Sequence, residues 1–231
     1  VLALQGNQKA AFQRVQQHLG KTKNEAQVYQ LLGQLSVANK NYPAGTQYLE
    51  KAISLDANLI TAYATLGQAY AEQKMFDNAI GEYQKIIAKN PGAVQALVLL
   101  GTLYDLKKEP EKANGYYKKA LDLNENASLA ANNLAWNYAE HGGNLDIALA
   151  LAQKARQIDS ESPGVADTLG WIYYKKGAYG TAIGLLNESN EKFKGNNPTV
   201  LYHLGLAYNK GDDKNRAKES LAKALALNQN F

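Results

Sequence analysis

A leucine followed by a small residue recurs along this chain at an interval of 34 or 35 residues. The small residues of these pairs, which we call the small column, are Gly33, Gly67, Gly101, Ala135, Gly170 and Gly205. A fixed period of this length, kept in register over six copies, indicates stacked copies of one small structural unit. The longer intervals place their extra residue in predicted turns at 141–144 and 194–198, so the regular elements stay intact.

Two apolar stretches make up each unit, for example 66–74 and 77–89, and neither alternates with a period of two. Both stretches therefore predict amphipathic helices. A second small residue follows the small column by twelve positions in most units, which lets two helices pack closely while leucine and tyrosine fill the space beside the contact. Pro91 and Pro163 are predicted in the first turn of the next helix. The chain is accordingly predicted to be all-α.

This pattern resembles the tetratricopeptide repeat family, whose features are matched in the second unit by Gly67, Tyr70, Ala79, Tyr83 and Asn90-Pro91. The resemblance implies an α-solenoid, a right-handed superhelix of antiparallel helix pairs. It predicts one continuous solenoid domain of six full repeats, at 26–59, 60–93, 94–127, 128–162, 163–197 and 198–231.

Residues 1–25 fit the same pattern, because Ala11 precedes Gly33 by the interval that separates Ala79 from Gly101. We therefore expect them to form the end of one first helix and a complete second helix of an additional, partial repeat. No extra polar helix follows the sixth repeat, although the ends of solenoids normally need capping. The sequence thus predicts a fragment of a longer repeat array.

The composition offers few residues for catalysis or metal binding. The chain has no cysteine and three histidines, His18, His141 and His203, none within four residues of another, so no metal or cofactor site is predicted and each histidine is assigned a structural role. Nucleotide-binding and hydrolase motifs are also missing, so the chain is predicted not to be an enzyme and no catalytic residue is assigned. The net charge of +4 comes from scattered basic residues, which does not indicate nucleic-acid binding, and no apolar run approaches the roughly 18 residues of a membrane span.

In the first helix of each unit, the positions three before and one, four and five after the small column share a face turned away from the core. The resemblance implies that this face lines a concave groove. Its first half is small and neutral, whereas its second half carries both tryptophans of the chain. Because Trp and Tyr dominate binding hot spots and Asn and Asp can hold an extended peptide or a cation, the predicted partner-binding residues are Asn132, Asn133, Trp136, Asp167, Trp171, Tyr174 and Tyr202. The alternative is that the two tryptophans pack structurally against the next repeat.

Chaperone-adaptor members of the family clamp a C-terminal carboxylate with lysine and arginine at defined groove positions. The corresponding positions here carry no cation, and only Asn133 resembles a part of that clamp. The sequence therefore argues against chaperone C-terminal peptides as partners.

The sequence is interpreted as a non-catalytic scaffold that binds a protein or peptide in its concave groove. The segments 132–136 and 167–171 also resemble later repeats of bacterial proteins associated with exopolysaccharide and protein-sorting systems, which favours a periplasmic or envelope location and an envelope or assembly pathway. One alternative is the targeting region of a larger enzyme. Another is a helical-repeat RNA binder, which the pI of about 9.0 favours. An RNA binder needs a cationic groove, whereas the groove positions three before and one and four after the small column are neutral or acidic, as at Asp105 and Asp167.

Overall fold

The computed structural model describes residues 8–228. Within this range the chain forms thirteen α-helices and no β-strand, which confirms the all-α prediction. The first-helix part of the predicted partial repeat, at residues 1–7, lies outside the described residues. The helices are α1 (Gln8–Gln16), α2 (Glu25–Ala38), α3 (Tyr42–Leu55), α4 (Ile60–Glu72), α5 (Phe76–Lys89), α6 (Val94–Leu106), α7 (Pro110–Leu123), α8 (Ser128–Glu140), α9 (Leu145–Ile158), α10 (Pro163–Lys175), α11 (Tyr179–Lys192), α12 (Pro198–Lys210) and α13 (Lys214–Leu227).

Polar caps and prolines set several helix starts. The Ser162 side chain accepts a hydrogen bond from the Val165 backbone N–H, and Pro163 begins α10 as the sequence predicts. Asn197 caps α12 in the same way, ahead of a proline at the first helical position. Pro91 differs from the prediction, because it lies in the turn between α5 and α6, and α6 begins three residues later.

Two compact units divide the chain, at residues 1–109 and 110–231. In the N-terminal unit each helix from α1 to α6 packs against the next, and α2 also contacts α4. In the C-terminal unit each helix from α7 to α13 packs against the next in the same way. There α8 contacts α10 and α10 contacts α12, so these three first helices lie side by side. We call them the first-helix row. Each unit is an α-solenoid of helix pairs.

The small column marks the closest approach of the two helices in a pair. A Cβ placed on Gly170 would lie 2.9 Å from Cγ of Leu186, which is fully buried on the partner helix. A Cβ on Gly205 would lie 2.6 Å from Cγ of Leu221. Glycine is therefore required at these positions by helix packing, as the repeat pattern predicts.

The turn between the two helices of a repeat uses a left-handed residue, and this gives a stability prediction. Lys74 has a φ of 60°, and the equivalent position in a later repeat is occupied by Gly177, with a φ of 79°. Because a side chain disfavours this conformation, we expect Lys74→Gly to raise the free energy of unfolding by about 0.5–1 kcal/mol. The matched reverse change, Gly177→Lys, is expected to lower it by about 1 kcal/mol. Urea unfolding of both variants checks the two signs, and equal signs would contradict the prediction.

Candidate functional site

The first-helix row brings residues from three repeats to one stretch of the C-terminal unit. Trp136 lies on α8, Trp171 on α10 and Tyr202 on α12. The rings are linked by His203, whose centroid lies 4.2 Å from that of Trp171 and 5.6 Å from that of Trp136. We call Trp136, Trp171, Tyr174, Tyr202 and His203 the aromatic cluster.

Trp171 lies at the centre of the aromatic cluster and is only 8% exposed. Its ring stacks on His203 and on Tyr174, with centroid distances of 4.2 and 4.8 Å and interplanar angles of 20° and 10°. Its indole N–H donates a 2.6 Å hydrogen bond to Oε1 of Glu140. Because its ring is stacked and its indole N–H is already bonded, Trp171 supports the packing of the cluster more than it offers surface to a partner.

The other aromatic side chains offer more surface. Tyr202 is 37% exposed, and both Trp136 and Tyr174 are half-buried. Asn132 lies one turn before Trp136 on the same face of α8, just as Asp167 lies one turn before Trp171 on α10. The accessible part of the cluster is therefore a set of ring faces and edges beside two polar side chains.

An ion pair closes one side of the cluster. Oε1 of Glu140 accepts hydrogen bonds from Nε1 of Trp171 and from Nζ of Lys175, the latter at 2.8 Å, and Nζ also donates to the Ala139 carbonyl at 2.9 Å. Burial alone would raise the pKa of Glu140, but the hydrogen bonds from Lys175 and Trp171, together with the charge of Lys175, hold it below its ordinary value of 4.5. The partner-binding residues predicted from the sequence do not include Glu140 or Lys175, although each lies five positions after the small column, on the face assigned to the groove.

The lowered pKa of Glu140 predicts a pH dependence of stability. Because the folded state favours the ionised carboxylate, its stabilisation is complete above about pH 5 and is lost as the pH falls through the lowered pKa. Glu140→Gln is therefore expected to cost about 1 kcal/mol near pH 7, given the partial exposure of the pair, and much less near pH 3. Thermal unfolding of both proteins across this range checks the difference.

The control for that experiment is Glu125→Gln, which removes a carboxylate that is 80% exposed and lies 3.4 Å from Lys154. It should change the unfolding midpoint little at any pH, because exposed ion pairs contribute little. A cost of Glu140→Gln that stays constant from neutral to acidic pH would contradict the assigned role of the ionised group.

A second polar pair lies beneath the rings. Nδ1 of His203, whose side chain is 4% exposed, lies 2.9 Å from Oδ1 of Asp167. A carboxylate oxygen accepts, so Nδ1 of His203 is the donor in this contact. Oδ2 of Asp167 has no partner among the described residues, and its side chain is 13% exposed. The partner-binding residues predicted from the sequence include Asp167 but not His203, which lies two positions before the small column.

The two asparagines have different surroundings. Asn133 donates a 3.2 Å hydrogen bond to the hydroxyl of the buried Tyr117, so its amide serves the packing of α7 against α8. Asn132 donates to Asn133 at 3.3 Å, whereas its Oδ1 is buried and has no donor among the described residues. Asn132 is the asparagine that leaves hydrogen-bonding capacity unused.

Residues 8–228 contain neither a cluster of metal ligands nor a membrane-spanning helix. No group of three or more His, Cys, Asp or Glu side chains there could hold a metal ion. No helix in the described range is long and apolar enough to cross a bilayer.

Sequence profiles described as tetratricopeptide repeat match the chain at 26–59, 94–126 and 198–231, and a second profile of that description matches 62–93. These matches cover more than half of the chain. The chain belongs to the tetratricopeptide repeat family. Members of this family are generally non-catalytic scaffolds, and the fold binds protein or peptide partners.

Solved tetratricopeptide structures share this fold at low sequence identity. A chain of the APC/C hetero-tetramer Cut9–Hcn1 is 19% identical with a TM-score of 0.80, and the alignment covers all of this chain but 45% of that one. PilW, described as a widely conserved type IV pilus biogenesis factor, is 16% identical with a TM-score of 0.75 and coverage of 91% and 96%. YrrB, described as a TPR protein with an unusual peptide-binding site, is 22% identical with a TM-score of 0.60 and coverage of 77% and 91%.

No curated protein sequence matches this chain significantly.

Proposed function

We propose that the chain is a non-catalytic scaffold that binds a protein or peptide partner along the first-helix row of its C-terminal unit. The observation that supports this most is the aromatic cluster. It combines exposed surface on Tyr202 and Trp136 with a tightly packed base at Trp171. A rigid aromatic surface of this kind can bury much area on binding at little entropic cost.

Polar groups around the rings fit a peptide ligand. Asn132 and Asp167 occupy equivalent positions on adjacent helices, and each has an oxygen with no donor among the described residues. Oδ2 of Asp167 can accept hydrogen bonds from the N–H groups of an extended chain or from polar side chains of the partner, whereas the buried Oδ1 of Asn132 can do so only after its side chain turns outward. The remaining predicted residues have supporting roles here, because Trp171, Tyr174 and Asn133 hold the exposed groups in place.

The test is selection of peptides from a displayed random library on the full chain, followed by affinity measurements on the selected sequences. Trp136→Ala/Tyr202→Ala is expected to weaken binding by about tenfold or more, as loss of hot-spot residues does. The variant should remain folded, with a loss of only about 1–2 kcal/mol from Trp136→Ala, because both side chains are partly exposed.

The control is Gln34→Ala/Gln68→Ala, which changes two residues of the N-terminal unit at the groove position of Trp136, one after the small column, beside a cavity lined by no aromatic side chain. This variant should bind the selected peptides as the wild type does. Equal losses for both double variants, or no loss for the aromatic one, would contradict the proposed site.

We further propose that this scaffold acts in a bacterial envelope or assembly pathway. The resemblance of 132–136 and 167–171 to envelope-associated repeats supports this, as does the fold shared with a protein described as a pilus biogenesis factor. Fractionation of the source cells with an antibody to the chain tests the location. Recovery only with cytosolic proteins would contradict an envelope role.

A further inference from the structure

We propose that the partner presents an arginine side chain to the aromatic cluster, where its guanidinium group binds Asp167 and stacks on the exposed rings. This inference rests on the proposed function, because it names the chemistry of the partner at that site.

The charges around the cluster favour a cation. Glu140 and Lys175 neutralise each other through their 2.8 Å contact. Asp167 pairs with His203 and has no lysine or arginine partner within residues 8–228. Asp167 is therefore the carboxylate of the cluster that no lysine or arginine of the described range neutralises, and a positively charged group is complementary to it.

The unused hydrogen-bonding groups favour a ligand rich in donors. Oδ2 of Asp167 and Oδ1 of Asn132 are acceptors, and neither has a donor among the described residues. The single indole donor of Trp171 is used within the chain, and Lys175 and Asn132 also donate to acceptors within it. A carboxylate ligand would place acceptors against acceptors, whereas a guanidinium group has five N–H donors and no acceptor.

The rings distinguish arginine from lysine. A guanidinium group is planar and weakly hydrated, so it can stack on an aromatic face while its edge binds a carboxylate. Tyr202 and Trp136 offer such faces around His203, which contacts Asp167, and Tyr202 is 37% exposed. A lysine ammonium group is a compact, strongly hydrated charge that cannot satisfy both requirements as well.

Tryptophan fluorescence gives a direct test, because both tryptophans of the chain lie in the cluster. The probe is a capped heptapeptide of glycine and serine with one central arginine, compared with the same peptide carrying citrulline, which is its neutral isostere. The arginine peptide is expected to change the emission saturably and to bind about tenfold or more tightly than the citrulline peptide. A lysine peptide should bind more weakly than the arginine peptide. Equal affinities for citrulline or lysine would overturn the proposal.

Asp167→Asn tests the anchoring residue. Asparagine can still accept the hydrogen bond from His203, so the stacking and the unfolding midpoint should be preserved. We expect the arginine peptide to bind about tenfold more weakly to this variant and the citrulline peptide to be unaffected. The matched control is Asp122→Asn, which removes the same charge from an exposed position on α7. Equal losses in both variants would overturn the specific contact in favour of overall charge.

The two proposals can fail separately. If library peptides without arginine require Trp136 and Tyr202 but not Asp167, the arginine inference is wrong and the scaffold function stands. If the arginine peptide binds through Asp167 but no library peptide depends on Trp136 and Tyr202, the cation site stands and the wider groove proposal is wrong.

Discussion

Trp171→Ala is expected to lower the free energy of unfolding by about 3–5 kcal/mol, as truncation of a buried aromatic side chain does. The indole is 8% exposed, stacks on His203 and Tyr174, and donates a hydrogen bond to Glu140. Its removal leaves a cavity in the first-helix row and deprives Glu140 of a donor. Chemical unfolding monitored by circular dichroism measures the effect.

Trp136→Ala is the matched comparison, because this ring is half-buried and its contact with His203 is tilted, at 5.6 Å. We expect it to cost about 1–2 kcal/mol, well below the cost for Trp171. If Trp171→Ala changed stability by less than Trp136→Ala, the central packing role assigned to Trp171 would be wrong.

A second large effect is expected for Gly170→Leu, which should lower the free energy of unfolding by about 3 kcal/mol through overpacking. The new Cβ alone would lie 2.9 Å from Cγ of Leu186 and 3.3 Å from the Ala182 carbonyl oxygen. The two helices of this repeat would have to move apart. Urea unfolding measures the loss.

Gly184→Leu provides a control in the same repeat, because a Cβ at this helical position meets nothing within 4 Å. Here leucine should be neutral or stabilising by up to about 1 kcal/mol, since glycine is a poor helix former. Destabilisation of similar size at both sites would show that close helix contact is not the cause at Gly170.

Periodicity predicted the fold well because it depends on local helix geometry repeated many times. The small column identified where helices meet, and Gly170 and Gly205 are indeed at close contacts. Proline placement was predicted less well. The pattern at Asn90-Pro91 could not distinguish a proline inside the first helical turn from one in the preceding turn, because both satisfy the local backbone preference.

The sequence predicted which face of each first helix carries the candidate site, but not which side chains contact one another there. Periodicity places Trp171, Tyr174 and Asp167 on one side of α10. It does not reveal that Glu140 and His203, 31 residues before and 32 after Trp171, contact its indole. These contacts depend on rotamers and on the spacing between repeats, which the sequence of one helix does not contain. The burial of the Trp171 side chain was therefore not predictable from the sequence, although its position one residue after the small column was.

The contacts of His203 with two other repeats affect the cooperativity of unfolding. In a linear repeat array each unit couples mainly to its immediate neighbours, so end units can open independently. His203 on α12 contacts Trp136 on α8, two repeats away, and Trp171 on the repeat between them. Undocking of the α12–α13 pair would remove one member of this three-repeat stack at once. Ligand affinity and amide-exchange protection of the final helical hairpin should consequently rise and fall together.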